Sequence, residues 1–238
     1  MKKVAIIIPT FNELENIEKL IKEISKNVPE STIFIVDDTT DKEIGNLINS
    51  KNLNAIYSHR ENLKGRGSAV LYGLRNALKE QKFDVFIEMD ADFSHNPDEL
   101  RKNLKYFYDN DLDLLIASRY QKKSKIINWG INRRILSKLS NILARFLLGV
   151  KLKDFTNGFR IYSKKAADLI TNKCGNIGDG FIILSEIIIV LKNNSMKIDE
   201  IETIFINRTR GESSVNFKLV MASLYGILKL FFIKNKLK

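Results

Sequence analysis

The chain has 238 residues, of which 44% are hydrophobic and 28% charged, and its formal net charge is +11. This composition favours a soluble protein with a full hydrophobic core, built as one large α/β domain or two small ones. The single cysteine, Cys174, excludes an internal disulfide framework and a thiolate metal cluster. We expect no secretory signal, because the first apolar run, residues 4–8, stops at Pro9.

The basic charge is concentrated in two segments. Residues 119–153 contain ten Lys or Arg, residues 217–238 contain five Lys, and neither segment contains an acid. Both are also rich in Leu, Ile and Phe. A basic, apolar-rich surface suits anionic lipid headgroups or lipid phosphates. Nucleic acid is the competing partner, and ordinary solvated helix faces would also account for the charge.

Strands and helices alternate over the first 120 residues. Apolar runs predict strands over residues 4–8, 33–36, 55–57, 84–90 and 112–117. Helical patterns follow over residues 42–50, 68–80 and 97–108, and the first helix is expected to start from a cap at Asn12. This alternation predicts an α/β fold with a doubly wound, mostly parallel sheet.

Polar motifs follow three of these strands, at residues 9–13, at Asp37-Asp38 and at Asp90 to Asp92. Open α/β sheets bind ligands at this carboxyl edge. Residues two apart in an extended chain point to the same side, so Asp90 and Asp92 can reach one point. We therefore expect a Mg²⁺ or Mn²⁺ site that ligand phosphates complete, with a solvated acidic loop as the alternative.

Three other polar features stay open to two interpretations. Lys64 and the Gly65-Arg66-Gly67 turn before a helix form a plausible anion site, although Gly-x-Gly also marks plain turns. His95 is either a third metal ligand or, as we favour, a polar residue at a helix N-terminus. Glu186, a lone acid in an apolar run, is either functional or paired in the core.

The character of the chain changes after residue 120. Residues 121–134 are basic and irregular, and residues 132–148 predict a strongly amphipathic helix. Residues 154–160 indicate a turn entering a short strand, and a further strand is predicted near 198–206. Residues 217–233 predict a second amphipathic helix, too short and too interrupted by Lys229 to span a membrane.

The motifs together resemble the glycosyltransferase family 2 enzymes of GT-A fold, and among them the dolichyl/polyprenyl-phosphate mannosyltransferases. The resemblance runs over about residues 4–230, and the order and spacing of the motifs make it specific. Its motifs are IPTFNE (8–13), IVDD (35–38), LKGRGSA (63–69), EMDADFSHNPDEL (88–100), ASRY (117–120), WGINRRILS (129–137), FTNGFR (155–160) and RTRGESS (208–214).

The resemblance implies that residues 1–238 form a single glycosyltransferase domain with a nucleotide-sugar-binding half (1–120) and an acceptor- and membrane-facing half (121–238). It implies an inverting transfer of a sugar, most simply mannose from GDP-mannose, to a polyprenyl or dolichyl phosphate. It matches Asp90 and Asp92 to ligands of a Mg²⁺ or Mn²⁺ ion on the donor diphosphate. Arg119, Arg133 and Arg208 match basic positions near donor and acceptor phosphates, and with Asp92 they form the expected catalytic set.

The resemblance also implies where the donor lies. Pro9, Phe11, Glu13 and Asp37 match positions that hold the base and ribose. We add the neighbouring Asp38, Lys64 and Asp90 to the expected nucleotide-sugar site.

The resemblance further implies a membrane surface as partner, a possible membrane-anchoring subunit, and a peripheral location on the cytoplasmic face of a membrane, without nucleic acid. The alternatives are another nucleotide sugar, a hydroxyl acceptor, or a non-catalytic binding module. A phosphate acceptor is ionised at neutral pH and needs little help from a general base, whereas a hydroxyl acceptor would need one.

Overall fold

The computed structural model describes residues 2–61, 65–178, 182–207 and 217–237, and over 217–224 it describes the backbone alone. Two residues that we assign to the site from the sequence, Lys64 and Arg208, lie outside these ranges, as does the whole RTRGESS motif.

The first half of the chain alternates strands with helices, as predicted. The elements are β1 (Val4–Thr10), α1 (Leu14–Asn27), β2 (Ser31–Asp37), α2 (Glu43–Ser50), β3 (Ala55–His59), α3 (Arg66–Lys79), β4 (Val85–Glu88), α4 (Leu100–Asp109) and β5 (Leu114–Ser118). A single 3-10 turn, Pro97–Glu99, leads into α4.

The second half adds two strands to the same sheet, a separate pair of strands, and further helices. The elements are β6 (Lys125–Ile127), α5 (Ile131–Leu148), β7 (Arg160–Ser163), α6 (Lys164–Lys173), α7 (Ile182–Asn193), β8 (Ile198–Glu202), β9 (Ile204–Ile206) and α8 (Phe217–Ile233). Among the described helices none is long and apolar enough to cross a membrane.

The main sheet has the order β3-β2-β1-β4-β7-β5-β8 within the described residues, and β6 pairs with β9 in a separate ribbon. All neighbours are parallel except β7, which runs antiparallel to both β4 and β5. Successive strands step outward in one direction from β1 to β3, and β4 lies on the other side of β1. Ligands of doubly wound sheets bind at such a switch point, beyond the carboxyl ends of β1 and β4.

Each face of the sheet carries its own apolar core because side chains alternate along a strand. In β1, Ala5 and Ile7 join one cluster with α3, α6 and α7, whereas Val4, Ile6 and Ile8 join the other with α1, α2 and α4. The sheet is therefore covered on both sides, which accounts for the continuous apolar runs in the sequence.

The structure differs from the sequence predictions at several places, among them residues 121–134, which are expected to be irregular but include strand β6. The prediction that Asn12 caps α1 is wrong: Asn12 has a left-handed backbone (φ 58°), and its amide donates to Oγ1 of Thr39 at 2.9 Å. The strand expected over 198–206 is two strands, since the chain leaves the main sheet at Thr203 and pairs with β6. Helices α6 and α7 are elements that the sequence analysis does not predict.

Two phenylalanines provide a test of this core. Phe86 in β4 is fully buried beside the ring of Phe83, whereas Phe146 in α5 is 83% exposed. Phe86→Ala should lower the free energy of unfolding by about 3–5 kcal/mol, because it leaves a cavity. The matched control Phe146→Ala should stay within about 0.5 kcal/mol of the parent. Urea titration measures both, and equal effects would contradict this packing.

Candidate active site

The acidic motif after β4 lies beside the switch point. Strand β4 ends at Glu88, so Asp90 and Asp92 occupy the turn that follows, not the strand itself. Phe93 in this turn has a left-handed backbone (φ 59°), and Oδ1 of Asp92 accepts from the amide of Ser94 at 3.0 Å. The same-side argument from an extended chain therefore does not apply, and the turn brings the two carboxylates to the sheet edge.

His95 fixes the main chain of this turn. Its Nδ1 accepts from the amide of Asp90 at 2.9 Å, and its Nε2 lies 3.0 Å from Oδ1 of Asn157. Because Nδ1 accepts, the proton is on Nε2, which donates to Asn157. The ring is buried and stacks on Phe159. Both nitrogens are thus used inside the protein, just before the 3-10 turn at Pro97–Glu99, and the interpretation of His95 as a polar residue at a helix N-terminus stays a prediction.

A single arginine joins the carboxylates of Glu88 and Asp90. Arg66, the first residue of α3, donates from Nη1 to Oε1 of Glu88 at 2.6 Å and from Nε to Oδ1 of Asp90 at 2.7 Å. Tyr162 donates to the other oxygen of Glu88 at 2.7 Å. Burial alone would raise the pKa of Asp90, but the Arg66 charge lowers it below its ordinary value.

The donor set fits a hard divalent cation. Asp90 and Asp92 offer carboxylate oxygens, and the Asp90 side chain is 31% exposed at the sheet edge. Over the described residues there is no group of three or more His, Cys, Asp or Glu that could hold a metal ion. A cation bound to this pair would therefore take its other ligands from substrate oxygens or water, as Mg²⁺ commonly does.

The two residues at the end of β2 that are predicted to bind the nucleotide sugar, Asp37 and Asp38, are buried. Asp37 accepts at Oδ1 from the hydroxyls of Thr10 (2.9 Å) and Thr39 (2.6 Å), and at Oδ2 from the Tyr57 hydroxyl at 3.0 Å. Burial and the Asp37 carboxylate together raise the pKa of Tyr57. In the structure Asp37 thus organises the loop after β2, and its contact with the nucleotide stays a prediction.

Asp38 is also fully engaged. It forms a bidentate pair with Arg60, at 2.7 Å and 2.6 Å, and accepts from the amide of Gly65 at 2.9 Å. Both members of the pair are buried. The pair therefore ties the end of β2 to the start of α3, and a direct role for Asp38 on the nucleotide sugar stays a prediction.

The end of β1 forms the rim of the same crevice. Pro9 pairs with Val36 inside the sheet, and the side chain of Phe11 just beyond is 56% exposed. Glu13 accepts from the side-chain amide of Asn16 at 2.7 Å. Of these three residues, Phe11 is the one with a broad exposed apolar surface, and the predicted contacts of all three with the base and ribose stay predictions.

Arg119 lies in a buried ion pair. Its Nε and Nη2 donate to the two carboxylate oxygens of Asp154 at 2.8 Å and 2.7 Å, and Nη2 also donates to the Thr156 hydroxyl at 2.6 Å. Burial would raise the pKa of Asp154, but Arg119 and backbone amides hold it below its ordinary value. The predicted action of Arg119 on phosphates is untested, and its first role is to neutralise Asp154.

Arg119 and Arg133 share one indole ring. Their guanidinium carbons lie 5.3 Å and 4.3 Å from the centre of Trp129, and the ring of Phe205 packs against Trp129. Arg133 also donates to Oδ1 of Asn207 at 3.0 Å. The indole Nε1 is buried and has no hydrogen-bond partner among the described residues. We call Arg119, Trp129, Arg133 and Phe205 the cation–aromatic cluster.

Glu186 is buried in α7. Its Oε2 accepts from the amide of Gly175 at 3.0 Å, and burial raises the pKa of the carboxyl. Its Oε1 has no hydrogen-bond partner among the described residues. The two interpretations made from the sequence therefore stay open.

The structure adds residues that sequence reasoning missed. Arg60, Asp154, Asn157 and Tyr162 hold the site residues in place, and Arg66 contacts carboxylates where an anion site was expected. A signal existed for Asp154 and Asn157, because both lie in the polar turn at residues 154–160. Arg60 gives no such signal, since a charged residue after a strand is normally exposed.

Solved structures share this fold. Glucosyl-3-phosphoglycerate synthase from Mycobacterium tuberculosis, in a complex with Mn²⁺, UDP and glucosyl-3-phosphoglycerate, aligns with a TM-score of 0.68 at 14% identity. The alignment covers 100% of this chain and 81% of that one. The doubly wound sheet, with its acidic turn at the switch point, therefore has the GT-A-like fold of these structures.

The chain belongs to glycosyl transferase family 2, whose profile matches residues 5–170. Polyprenol monophosphomannose synthase of Mycolicibacterium smegmatis is 30% identical over 230 residues, 95% of this chain and 86% of the relative. Undecaprenyl-phosphate mannosyltransferase of Micrococcus luteus is 31% identical, over 92% and 89% respectively. Dolichol-phosphate mannosyltransferase of Pyrococcus furiosus is 34% identical, over 96% of this chain and 63% of the relative.

The Arg119–Asp154 pair leads to a stability prediction. Arg119→Met should lower the free energy of unfolding at pH 7 by about 3–5 kcal/mol, because it leaves a buried carboxylate unpaired. The double variant Arg119→Met/Asp154→Asn should recover part of this loss. Urea unfolding measures all three proteins.

The same pair has a pH signature. The pKa of Asp154 is lower in the folded protein than in the unfolded chain, where it is about 4. Asp154 therefore stabilises the parent above about pH 4, and this stabilisation is lost as the pH falls through the folded pKa. In Arg119→Met, burial without a partner raises the folded pKa, so unfolding free energy should increase between pH 7 and pH 5 relative to the parent. A single variant within about 1 kcal/mol of the parent at pH 7 would contradict a buried charge pair.

Proposed function

We propose that this protein transfers mannose from GDP-mannose to a polyprenyl phosphate with inversion at the anomeric carbon. The observation that carries the proposal is the acidic turn at the switch point together with the cation–aromatic cluster, whose residues come from the segment after β5, the start of α5 and strand β9. Three relatives at 30–34% identity, each named for mannose transfer to a polyprenyl or dolichyl phosphate, support this choice of sugar and acceptor.

Asp90 and Asp92 are the residues that would hold Mg²⁺ or Mn²⁺. The ion would neutralise charge on the diphosphate leaving group. The chain's own contribution is position: His95 fixes the main chain of Asp90, and the amide of Ser94 orients the Asp92 carboxylate. Phe11 would cover the base at the mouth of the crevice, and Asp37 and Asp38 would shape the loop beside it.

The cation–aromatic cluster would hold the acceptor phosphate. Arg133 is half-buried at the start of α5, next to the unpartnered indole N–H of Trp129. A guanidinium fork and an N–H donor suit a phosphate group, and preorganised cations stabilise charge as it develops. The acceptor oxygen is already ionised, so the reaction needs no general base on this side. Arg208 belongs to the same proposal from its motif alone.

The acceptor is a membrane lipid, and we propose that α5 and α8 dock on an anionic bilayer, at the cytoplasmic face. Helix α5 turns its apolar stripe outward, and three exposed basic residues of the same helix, Arg134, Lys138 and Arg145, flank it. Helix α8 packs beside α5 and adds Tyr225 and Phe232, both more than 70% exposed. The exposed stripe of α5 consists of Ile131, Ile135, Leu139, Ile142, Leu143 and Phe146.

A donor-by-acceptor assay tests the reaction. With Mn²⁺ present, purified protein should transfer mannose from GDP-mannose to a polyprenyl phosphate, and other nucleotide sugars or a polyprenol without phosphate should react far more slowly. Asp92→Asn should lower turnover at least about a hundredfold, because electrostatic groups at the reacting phosphate commonly contribute that much.

Two results would contradict parts of the proposal. Full activity in EDTA would exclude the metal at Asp90 and Asp92. Transfer to a free hydroxyl at the same rate as to a phosphate would exclude the acceptor class. Glu80→Gln, at the exposed C-terminus of α3, is the matched control for a lost carboxylate and should retain parent turnover.

Vesicle co-sedimentation tests the bilayer contact. Leu139→Glu/Phe146→Glu should lose binding to anionic vesicles, because it places two carboxylates in the apolar stripe. Ile56→Glu, an exposed apolar position on the edge strand β3, is the control and should bind like the parent. Parent binding should rise with anionic lipid and fall with salt. A parent protein that stays in the supernatant at low salt would contradict direct docking and favour a membrane-anchoring subunit.

A further inference from the structure

Arg66 forms an ion pair with Asp90, although a carboxylate that binds a metal would be expected to have no such partner. Its Nε donates to Oδ1 of Asp90 at 2.7 Å, and Nη2 lies 2.6 Å from the same oxygen without hydrogen-bond geometry. Its Nη1 donates to Oε1 of Glu88 at 2.6 Å. One guanidinium therefore bridges both carboxylates at the end of β4 and offsets one of their two negative charges, and Asp90 uses one oxygen for this contact.

The surroundings of Arg66 are built to hold this position. Glu88 is fully buried, and the Tyr162 hydroxyl fixes its second oxygen. Gly158 provides the space, because a Cβ atom there would overlap Nη2 of Arg66. The backbone before Arg66 is also tied down, since the amide of Gly65 donates to Asp38. The guanidinium is therefore a fixed part of the site, not a surface side chain that folded inward.

A fixed cation at Asp90 has a consequence for a second cation. Two positive charges on one carboxylate repel each other, and the repulsion is strong where water is partly excluded. We propose that Arg66 is the internal counter-ion of the metal site and that it lowers the intrinsic affinity for a divalent cation. The cation then binds tightly only together with a nucleoside diphosphate, whose negative charge offsets the repulsion.

This inference rests on the proposed function, because it assumes that Asp90 and Asp92 bind the metal. It also explains why an arginine occupies position 66. With no cation bound, Glu88 and Asp90 would otherwise be two neighbouring carboxylates without charge compensation, which is costly in a buried site. Arg66 is thus a positioning residue. It stabilises the sheet edge, weakens the binding of the metal alone, and makes metal binding depend on the nucleotide-sugar donor.

Mn²⁺ titration of the full chain, followed by electron paramagnetic resonance, tests the proposal with and without GDP. Arg66→Leu should bind Mn²⁺ alone about tenfold more tightly than the parent, since it removes a like charge beside the ligand. The gain in Mn²⁺ affinity on adding GDP should shrink by about the same factor, because in the parent the negative charge of GDP already offsets the repulsion that the substitution removes. Arg66→Gln, neutral and polar, serves as the second variant and should shift in the same direction.

Arg101→Leu is the matched control. Arg101 forms a bidentate pair with Glu30 on the surface, at 2.6 Å and 2.9 Å, away from the acidic turn. Its loss should leave both Mn²⁺ dissociation constants unchanged, so that a general change in net charge is separated from the local effect. Thermal unfolding in EDTA should show a lower midpoint for Arg66→Leu than for Arg101→Leu.

The outcomes separate this inference from the function on which it rests. If Arg66→Leu and Arg66→Gln bind Mn²⁺ as weakly as the parent, or more weakly, while Asp90→Asn abolishes binding, the metal site stands and the inference fails. If no protein binds Mn²⁺ with or without GDP, the metal site itself fails, and the inference with it.

Discussion

Charge neutralisation at the carboxyl edge of the sheet is the constraint on which the site depends. A doubly wound sheet buries its strand ends under loops, and an unpaired carboxylate there would cost several kcal/mol. Ion pairs between arginines and these carboxylates avoid this cost, and each pair also connects elements that are distant in the sequence. Three buried acids at this edge have arginine partners: Asp38 with Arg60, Glu88 with Arg66, and Asp154 with Arg119.

Much of the fold could be predicted because burial on both faces leaves a direct trace in the sequence. The runs in β1, β2 and β5 are apolar at nearly every position, and the helices between them show one apolar stripe. Asn12 shows the limit: its residue type suits a cap, but it also tolerates the left-handed backbone that the Thr39 contact requires. The sheet change at Thr203 could not be predicted, since a strand's pattern does not identify its neighbour.

The site could be predicted only in part, for a related reason. Acids at strand ends are visible in the sequence, whereas their partners come from other loops and carry no periodic signal. Arg119 and Arg66 illustrate this: both could be singled out as cations, and both turn out to neutralise protein carboxylates. A cation near a phosphate site and a cation in a buried ion pair look alike in one sequence, and three-dimensional contacts distinguish them.

Helix α5 connects the catalytic edge to the proposed membrane surface. Its pattern predicts an apolar stripe but not the direction in which it faces. The buried side is narrow, with Ala144 and Leu148 against the core and Asn141 accepting from the amide of Phe155 at 2.7 Å. Arg133 occupies the first turn, and Phe146 lies about 20 Å further along the axis. If the stripe rests on a bilayer, the same rigid helix that contacts the lipid also carries Arg133, the arginine that we propose binds the acceptor phosphate. The acceptor headgroup could then reach the cation–aromatic cluster without its chain leaving the membrane, and docking and phosphate recognition would be one event.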